Sequence, residues 1–200
     1  MASVVGIDVD LLKSEIKKTY AAVSEEPGKD FIFPTGRAWA EDLGYPDELA
    51  RVPDFVVESF AGVANPWSLG RVEPGEDVLD LGSGAGTDSL VAGLMVGSEG
   101  SVTGIDMTPE MIVNARDGAA ALGLRNVTFV EGEIEELPFE DESFDIVISN
   151  GVIDLLPDKE VVFAAIYRVL RPCGRIQFAD VTIQQPVSEE GKRKIDLWTG

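Results

Sequence analysis

A doubly wound α/β fold, a mostly parallel sheet with helices on both faces, is predicted from three features of the chain. After Gly75, short apolar stretches alternate with segments of helical periodicity, the sequence form of parallel strands joined by crossover helices. A glycine-rich segment, Gly82-Ser83-Gly84-Ala85-Gly86, follows the first strand and opens into the first of these helices. The length of 200 residues, with 44% apolar content, suits one main fold with its own core.

The elements follow in order. Leu12, Ile16, Tyr20 and Val23 recur at helical spacing and predict an amphipathic helix over Asp8–Ser24. Residues 25–44 mix Pro27, Gly28, Pro34 and Gly36 with Phe31, Phe33 and Trp39, which reads as a packed loop rather than a linker. Pro46 starts a short helix, Pro53 restarts it through Phe60, and a turn-rich connection covers 62–66. Strands are predicted at Asp77–Leu81, Ser101–Asp106, Val127–Glu131, Phe144–Ser149 and Arg175–Thr182. Helices are predicted at Thr87–Val96, Pro109–Leu122 and Asp158–Leu170; Thr108-Pro109-Glu110 has the cap, proline and acid of a helix start. Ser188–Trp198 reads as a further charged helix. Residues 1–70 are read as a helical cap or lid and 71–200 as the main domain.

Charge narrows the partners. With 16 Lys and Arg against 36 Asp and Glu, the net charge of −20 repels nucleic acid and anionic membrane surfaces. The acids read mainly as a solvating surface, including the eight between Glu131 and Asp145, a stretch without Lys or Arg. No apolar run approaches the roughly 18 residues of a spanning helix, and Met1–Asp10 has no signal-peptide character, so the expected location is cytoplasmic. Cys173 is the single cysteine and histidine is absent, which excludes an internal disulfide, a zinc cluster and imidazole catalysis.

Asp80 stands two residues before the first glycine of the loop, and the spacing is G-x-G-x-G rather than the dinucleotide pattern G-x-G-x-x-G. A carboxylate there repels a pyrophosphate but suits a cofactor carrying an ammonium and a sulfonium, which points to S-adenosylmethionine. Asp106, at the end of the second strand, is placed to accept ribose hydroxyls or to cap the next helix; Met107 is placed to cover the adenine or to fill core. Glu133 and Ile134 follow the third strand, where they can meet the adenine amino group and ring, and Asn150 ends the fourth beside the cofactor's methionine end.

The segments VLDLGSGAG, VTGIDMTPEMI, GEIEELPFEDESFDIVISN and VLRPCGRIQFADV resemble those of class I S-adenosylmethionine-dependent methyltransferases, over Glu73–Thr182. Within that class, ISNGVIDLLPDKEVVFAAIYRVLRP, LGYPDELARVP and GVANP are similar to arsenite methyltransferases, and more loosely to ubiquinone and menaquinone C-methyltransferases. The resemblance implies a Rossmann-like sheet and cofactor contacts at Asp80, Gly82, Ser83, Gly84, Gly86, Asp106, Met107, Glu133, Ile134 and Asn150. Tyr20 falls where that branch has an aromatic near the cofactor, and equally on a core-facing helix position.

Two departures qualify the resemblance. Arsenite methyltransferases hold trivalent arsenic with cysteine thiolates, at positions that here read Gly151 and Val63. Cys173 lies in the turn entering the fifth strand, at the wrong end of the sheet, where glycine is more usual. The class also carries a C-terminal strand hairpin, of which this sequence shows only the charged segment Ser188–Trp198, so the fifth strand is expected to leave an open edge: either the chain is a fragment, or the terminal helix covers the edge, or a second copy covers it as a homodimer.

The resulting expectation is a methyltransferase acting on a small-molecule acceptor and yielding S-adenosylhomocysteine. Tyr20, Phe31, Phe33, Trp39 and Trp67 are expected to close over the cofactor and shape the acceptor pocket, or else to pack over the sheet. No catalytic base is assigned; Asp154 can face the acceptor or cap a turn. Two alternatives stand beside this reading: a cofactor-binding scaffold without an acceptor site, and a nicotinamide-dependent oxidoreductase, which Asp80 and the glycine spacing disfavour.

Overall fold

The structure is a computed structural model that describes residues 8–182, 184–185, 187–188 and 198. The predicted helix over Ser188–Trp198 therefore lies almost entirely outside the described residues.

Five parallel strands form one sheet in the order β3-β2-β1-β4-β5: β1 Asp77–Leu81, β2 Ser101–Asp106, β3 Val127–Glu131, β4 Phe144–Asn150 and β5 Leu170–Ala179. The chain builds outward from β1 through α4 (Thr87–Val96), β2, α5 (Pro109–Leu122) and β3. It then crosses back to place β4 on the other side of β1, and α6 (Lys159–Val169) leads to β5. The reversal of direction between β1 and β2 on one side and β4 on the other opens a crevice at the carboxyl ends of the strands.

Strand alternation feeds two cores. Val78, Val102, Phe129, Ile146 and Ile148 pack toward α4, α5 and the N-terminal elements; Leu79, Leu81, Ile105 and Val147 pack toward α6 and residues 134–156. Helix α4 is buried almost all round, so its sequence is nearly continuously apolar instead of amphipathic.

The N-terminal segment is α1 (Val9–Glu25), α2 (Arg37–Asp42), a 3-10 turn at Asp47–Arg51 and α3 (Asp54–Val57). Asp8 caps α1 by accepting from the Leu11 N–H, and the helix buries Leu12, Ile16 and Val23. Asn114 of α5 donates to Ser24 Oγ at 2.8 Å, fastening the end of α1 to the domain.

Strand β5 departs from its expected bounds of Arg175–Thr182. It starts at Leu170, directly after α6, and its pairing with β4 slips between Phe144 and Ile146, so residues 171–174 bulge out. Cys173 sits on this bulge, exposed, with φ +68°, the left-handed conformation expected at a position where glycine is more usual. Arg171 grips Asp145 at 2.7 Å and Asp77 at 2.9 Å, and Arg175 pairs with Glu76, so basic residues close the amino end of the sheet. The outer edge of β5 is unpaired among the described residues, and no described helix is long and apolar enough to cross a membrane.

Candidate functional site

Residues 82–86 leave β1 in a tight turn. Gly82 has φ +64°, and a Cβ there would lie 2.4 Å from Val152 Cγ2, so only glycine fits. Gly84 follows with φ +52°, and a Cβ there would meet only Met111 Sδ, at 3.9 Å, so the left-handed backbone rather than crowding calls for glycine. The turn is held from β2: the Gly84 N–H donates to Asp106 Oδ2 at 2.9 Å and the Ser83 N–H to the Ile105 carbonyl at 3.0 Å. Asp106 Oδ1 accepts the Thr108 N–H at 2.8 Å, so its carboxyl ties the glycine loop to the start of α5.

A cleft of about 960 Å³, counting its open mouth, lies over these loops. Of the positions marked from sequence, Tyr20, Asp80, Gly82, Ser83, Gly84, Asp106, Met107, Glu133, Ile134 and Asn150 all line it. Gly86 does not. With φ +91°, it abuts Phe129 and Ala115, where a Cβ would come within 2.8 Å of the Phe129 ring, so it serves the packing of α4 against α5 and β3.

Of the five aromatics expected to close the site, Tyr20 lines the cleft and the other four do not. Phe33 stacks between Tyr20 and Phe31, with ring centroids 6.0 and 5.8 Å apart. Trp39 donates its indole N–H to the Gly62 carbonyl at 2.7 Å, and Trp67 is buried in the core. Phe31, Phe33 and Trp39 pack against the core cluster that holds Trp67, so these rings cover the sheet instead of lining the cleft.

Asn150 lines the cleft, but its amide is spent on the wall. Its Oδ1 accepts the Val63 and Ala64 N–H groups at 2.9 and 3.3 Å, and its Nδ2 donates to Tyr45 Oη, Ala64 O and Asp88 Oδ2 at 2.9, 2.9 and 3.1 Å. Asn150 thereby clamps residues 62–64 against the end of β4.

Sequence reading passed over Asp88, and it passed over the strip Ser59–Gly62, which also lines the cleft. Asp88 is the lone acid in the apolar α4 and only 7% exposed; Asp80 is 2% exposed and accepts the Ser89 hydroxyl at 2.6 Å. Burial, then the neighbouring Asp88 charge, pushes the Asp80 carboxyl well above the usual range. Burial pushes Asp88 up to about 6, against the Asn150 amide that donates to it and the polar groups of Tyr45 and Trp67 that face it. Burial raises Asp106 too, opposed by the Thr108 and Gly84 N–H groups. Ser59 Oγ and Ser83 Oγ are buried against the cleft without a hydrogen-bond partner. No group of carboxylate, cysteine or histidine side chains among the described residues is arranged to hold a metal ion.

Next to the cleft-lining Leu155, the Asp154 N–H donates to Asp180 Oδ2 at 3.1 Å. Burial, then the neighbouring Asp180 carboxylate, pushes Asp154 up to about 7, and Asp154 Oδ1 is buried without a hydrogen-bond partner. Tyr20 is raised above its ordinary value by burial and by Asp154, Asp106 and Asp180, so it is a neutral phenol.

A family model described as a methyltransferase domain matches residues 72–198. The chain is 46% identical over 167 residues to the arsenite methyltransferase of Halobacterium salinarum, covering 83% of this chain and 42% of that protein. It is 36% identical over 114 residues to the demethylmenaquinone methyltransferase of Listeria monocytogenes, covering 57% and 48% of the two. The structure of an arsenic(III) S-adenosylmethionine methyltransferase from Chlamydomonas reinhardtii superposes with a TM-score of 0.67 at 45% identity, over 72% of this chain and 50% of that one. The chain spans less than half the length of these curated relatives.

Proposed function

The chain belongs to the methyltransferase-domain family, and from that premise we propose that it transfers the methyl group of S-adenosylmethionine to a small-molecule acceptor. The observation that carries this reading is the glycine loop pinned by Asp106 beside the buried Asp80, at the strand switch point. The residues fit that cofactor. Gly84 leaves the backbone of the loop approachable, Ser83 Oγ is an unused polar atom facing the cleft, and Asp80 and Asp88, without basic partners, suit a cation.

When bound, the cofactor supplies an electrophilic methyl group on a good leaving group. The chain's part is positional. Asp106 is assigned to the ribose hydroxyls, Met107 and Ile134 to the adenine faces, Glu133 to its amino group, and Asp80 to the cationic methionine end. Tyr20 and Ile16 of α1, with Phe60, Val152 and Leu156, wall the cleft from water, so a nucleophile can be held in line.

The acceptor is proposed to be held without thiolates from these residues. Gly151 and Val63, where the resemblance places arsenic-binding cysteines, abut at the cleft: a Cβ on Gly151 would lie 3.0 Å from Val63 Cγ1. Cys173 lies on the β5 bulge at the far end of the sheet. A thiol or amine acceptor needs little help from a general base, in keeping with the absence of histidine.

Calorimetric titration with S-adenosylmethionine tests the cofactor, and a labelled-methyl screen over thiols, amines, phenols and arsenicals tests the transfer. No binding sinks the proposal. Binding without transfer to any class supports instead a cofactor-binding scaffold, which the replaced cysteines favour. A second copy paired along the β5 edge left unpaired among the described residues, beside exposed Phe178 and Val181, is proposed as well; a monomeric mass in solution scattering rules it out.

A further inference from the structure

Asp80, Asp88 and Asp106 line one cleft, and among the described residues no Lys or Arg side chain lines it with them. Asp80 and Asp88 are buried and make no salt bridge to another described residue; their hydrogen bonds come from the neutral donors Ser89 and Asn150. Asp88 Oδ1 is buried with no hydrogen bond closed, although the Trp67 indole faces that carboxyl. Glu133 differs, since Lys13 neutralises it at 2.5 Å.

We propose that the Asp80–Asp88 pair reads the charge of the bound cofactor, taking up the cationic methyl donor with release of a proton and thereby favouring it over the neutral product. The inference rests on the function proposed above. S-adenosylmethionine has a sulfonium and an ammonium against one carboxylate and is a net cation. Its demethylated product keeps the ammonium and carboxylate but has a neutral thioether. Two carboxyls out of water without a countercharge retain a proton between them, whereas a cation beside them takes that proton's place.

The groups facing the pair agree. On Asp80 act Asp88 and Ser89 of α4 and Asp106 of β2; on Asp88 act Asn150 of β4, Tyr45 and Trp67. Tyr45 is itself held well above its ordinary pKa, by burial first and then by Asp88, so it stays a neutral donor. Lys17 of α1 reaches only Asp106, as a weak counterweight. When methyl transfer removes the sulfonium charge, the acceptor's proton leaves the site, and the pair regains its affinity for a proton and loses its grip on the product.

Titration calorimetry on the full chain, with S-adenosylmethionine and with S-adenosylhomocysteine, in buffers of differing ionisation enthalpy from pH 5 to 8, tests this. Below about pH 6, where Asp88 keeps its proton, the donor is expected to release close to one proton, its affinity rising by up to about tenfold per pH unit and more gently above. The product is expected to release fewer protons and to bind at least about tenfold more weakly at neutral pH. Asp88→Asn flattens the pH dependence and narrows the preference; if that variant does not fold, the wild-type proton counts decide. Equal binding of both ligands without proton release overturns the inference and leaves the function standing. Binding of neither at any pH overturns the function, and the inference with it.

Discussion

Lys13 of α1 reaches across to Glu133 beyond β3, 120 positions away, with its ammonium 2.5 Å from Glu133 Oε2 and 2.9 Å from Glu135 Oε1. Burial works to lower the Lys13 pKa, but the two glutamate bonds outweigh it and the net shift is upward. The bridge lies between the N-terminal helix and the acid assigned to the adenine. It therefore ties α1 to the cleft-lining loop after β3.

Lys13→Met should loosen α1. The variant leaves Glu135, only 18% exposed, without its cation, and a part-buried pair of this kind is worth about 1 kcal/mol. Hydrogen exchange across residues 9–25 should accelerate, with a melting temperature lower by a few degrees. The difference from wild type should shrink in high salt, where the pair is already screened. Unchanged protection of α1 would show that apolar packing alone fastens it.

Stability without ligand should fall as pH rises toward neutrality. Asp88 and Asp154, pushed up to about 6 and about 7, hold protons in the folded chain that an unfolded aspartate gives up near pH 3.9. Between those values the folded state binds more protons than the unfolded one, so each rise in pH favours unfolding. Glu48 and Glu76, lowered by Arg71 and Arg175, work in the other direction and lose their contribution as pH drops below about 4. Asp154→Asn keeps the backbone bond to Asp180 and removes the titrating carboxyl beside it. Allowing for the screening of a part-exposed carboxyl, it should add about 1 kcal/mol at pH 8 and little at pH 5. Denaturant unfolding at the two pH values measures it.

Much of the fold was legible where burial and backbone chemistry coincide. Asp77–Leu81, Ser101–Asp106 and Val127–Glu131 are strands at their predicted bounds, and α4 and α5 match theirs, because glycine, proline or a cap marks each end. Strand β5 was displaced because its start is set by partners distant in sequence, Arg171 with Asp77 and Asp145, and its end by Asp180 turning to accept the Asp154 N–H. Asp88 was passed over for a physical reason. An acid in the first turn of a helix is ordinarily a solvated partner of the macrodipole, and only the closing of Tyr45, Trp67 and Asn150 around it makes it a buried charge.

Cys173→Gly should stabilise the chain. Cys173 is exposed and holds φ +68° at the bulge between Leu170 and Arg175, where a side chain costs about 1 kcal/mol and glycine does not. Part of that gain is offset by the freer unfolded chain, leaving roughly 0.5 kcal/mol. Cofactor binding should not change, because the bulge is at the end of the sheet opposite the cleft. A urea midpoint that does not rise would mean that the left-handed residue is relieved by its neighbours.

Gly151 and Val63 provide the sharpest test of the acceptor site. They touch at the cleft wall, where Asn150 clamps the 62–64 segment to the end of β4. If their contact is the remnant of a thiolate pair, then Val63→Cys with Gly151→Cys places two sulfurs within bridging distance of one soft trivalent ion. Cysteine at Gly151 must tolerate φ +71°, a strain of about 1 kcal/mol, so the double variant should melt lower than wild type yet still fold. It should then bind one equivalent of a trivalent arsenical, followed by loss of free thiol titre and by a rise in melting temperature on addition. Either single variant should bind far more weakly, and wild type, with Cys173 alone on the far side of the sheet, should show no cleft binding. A folded double variant that gains no arsenical binding would show that these two positions do not face the acceptor.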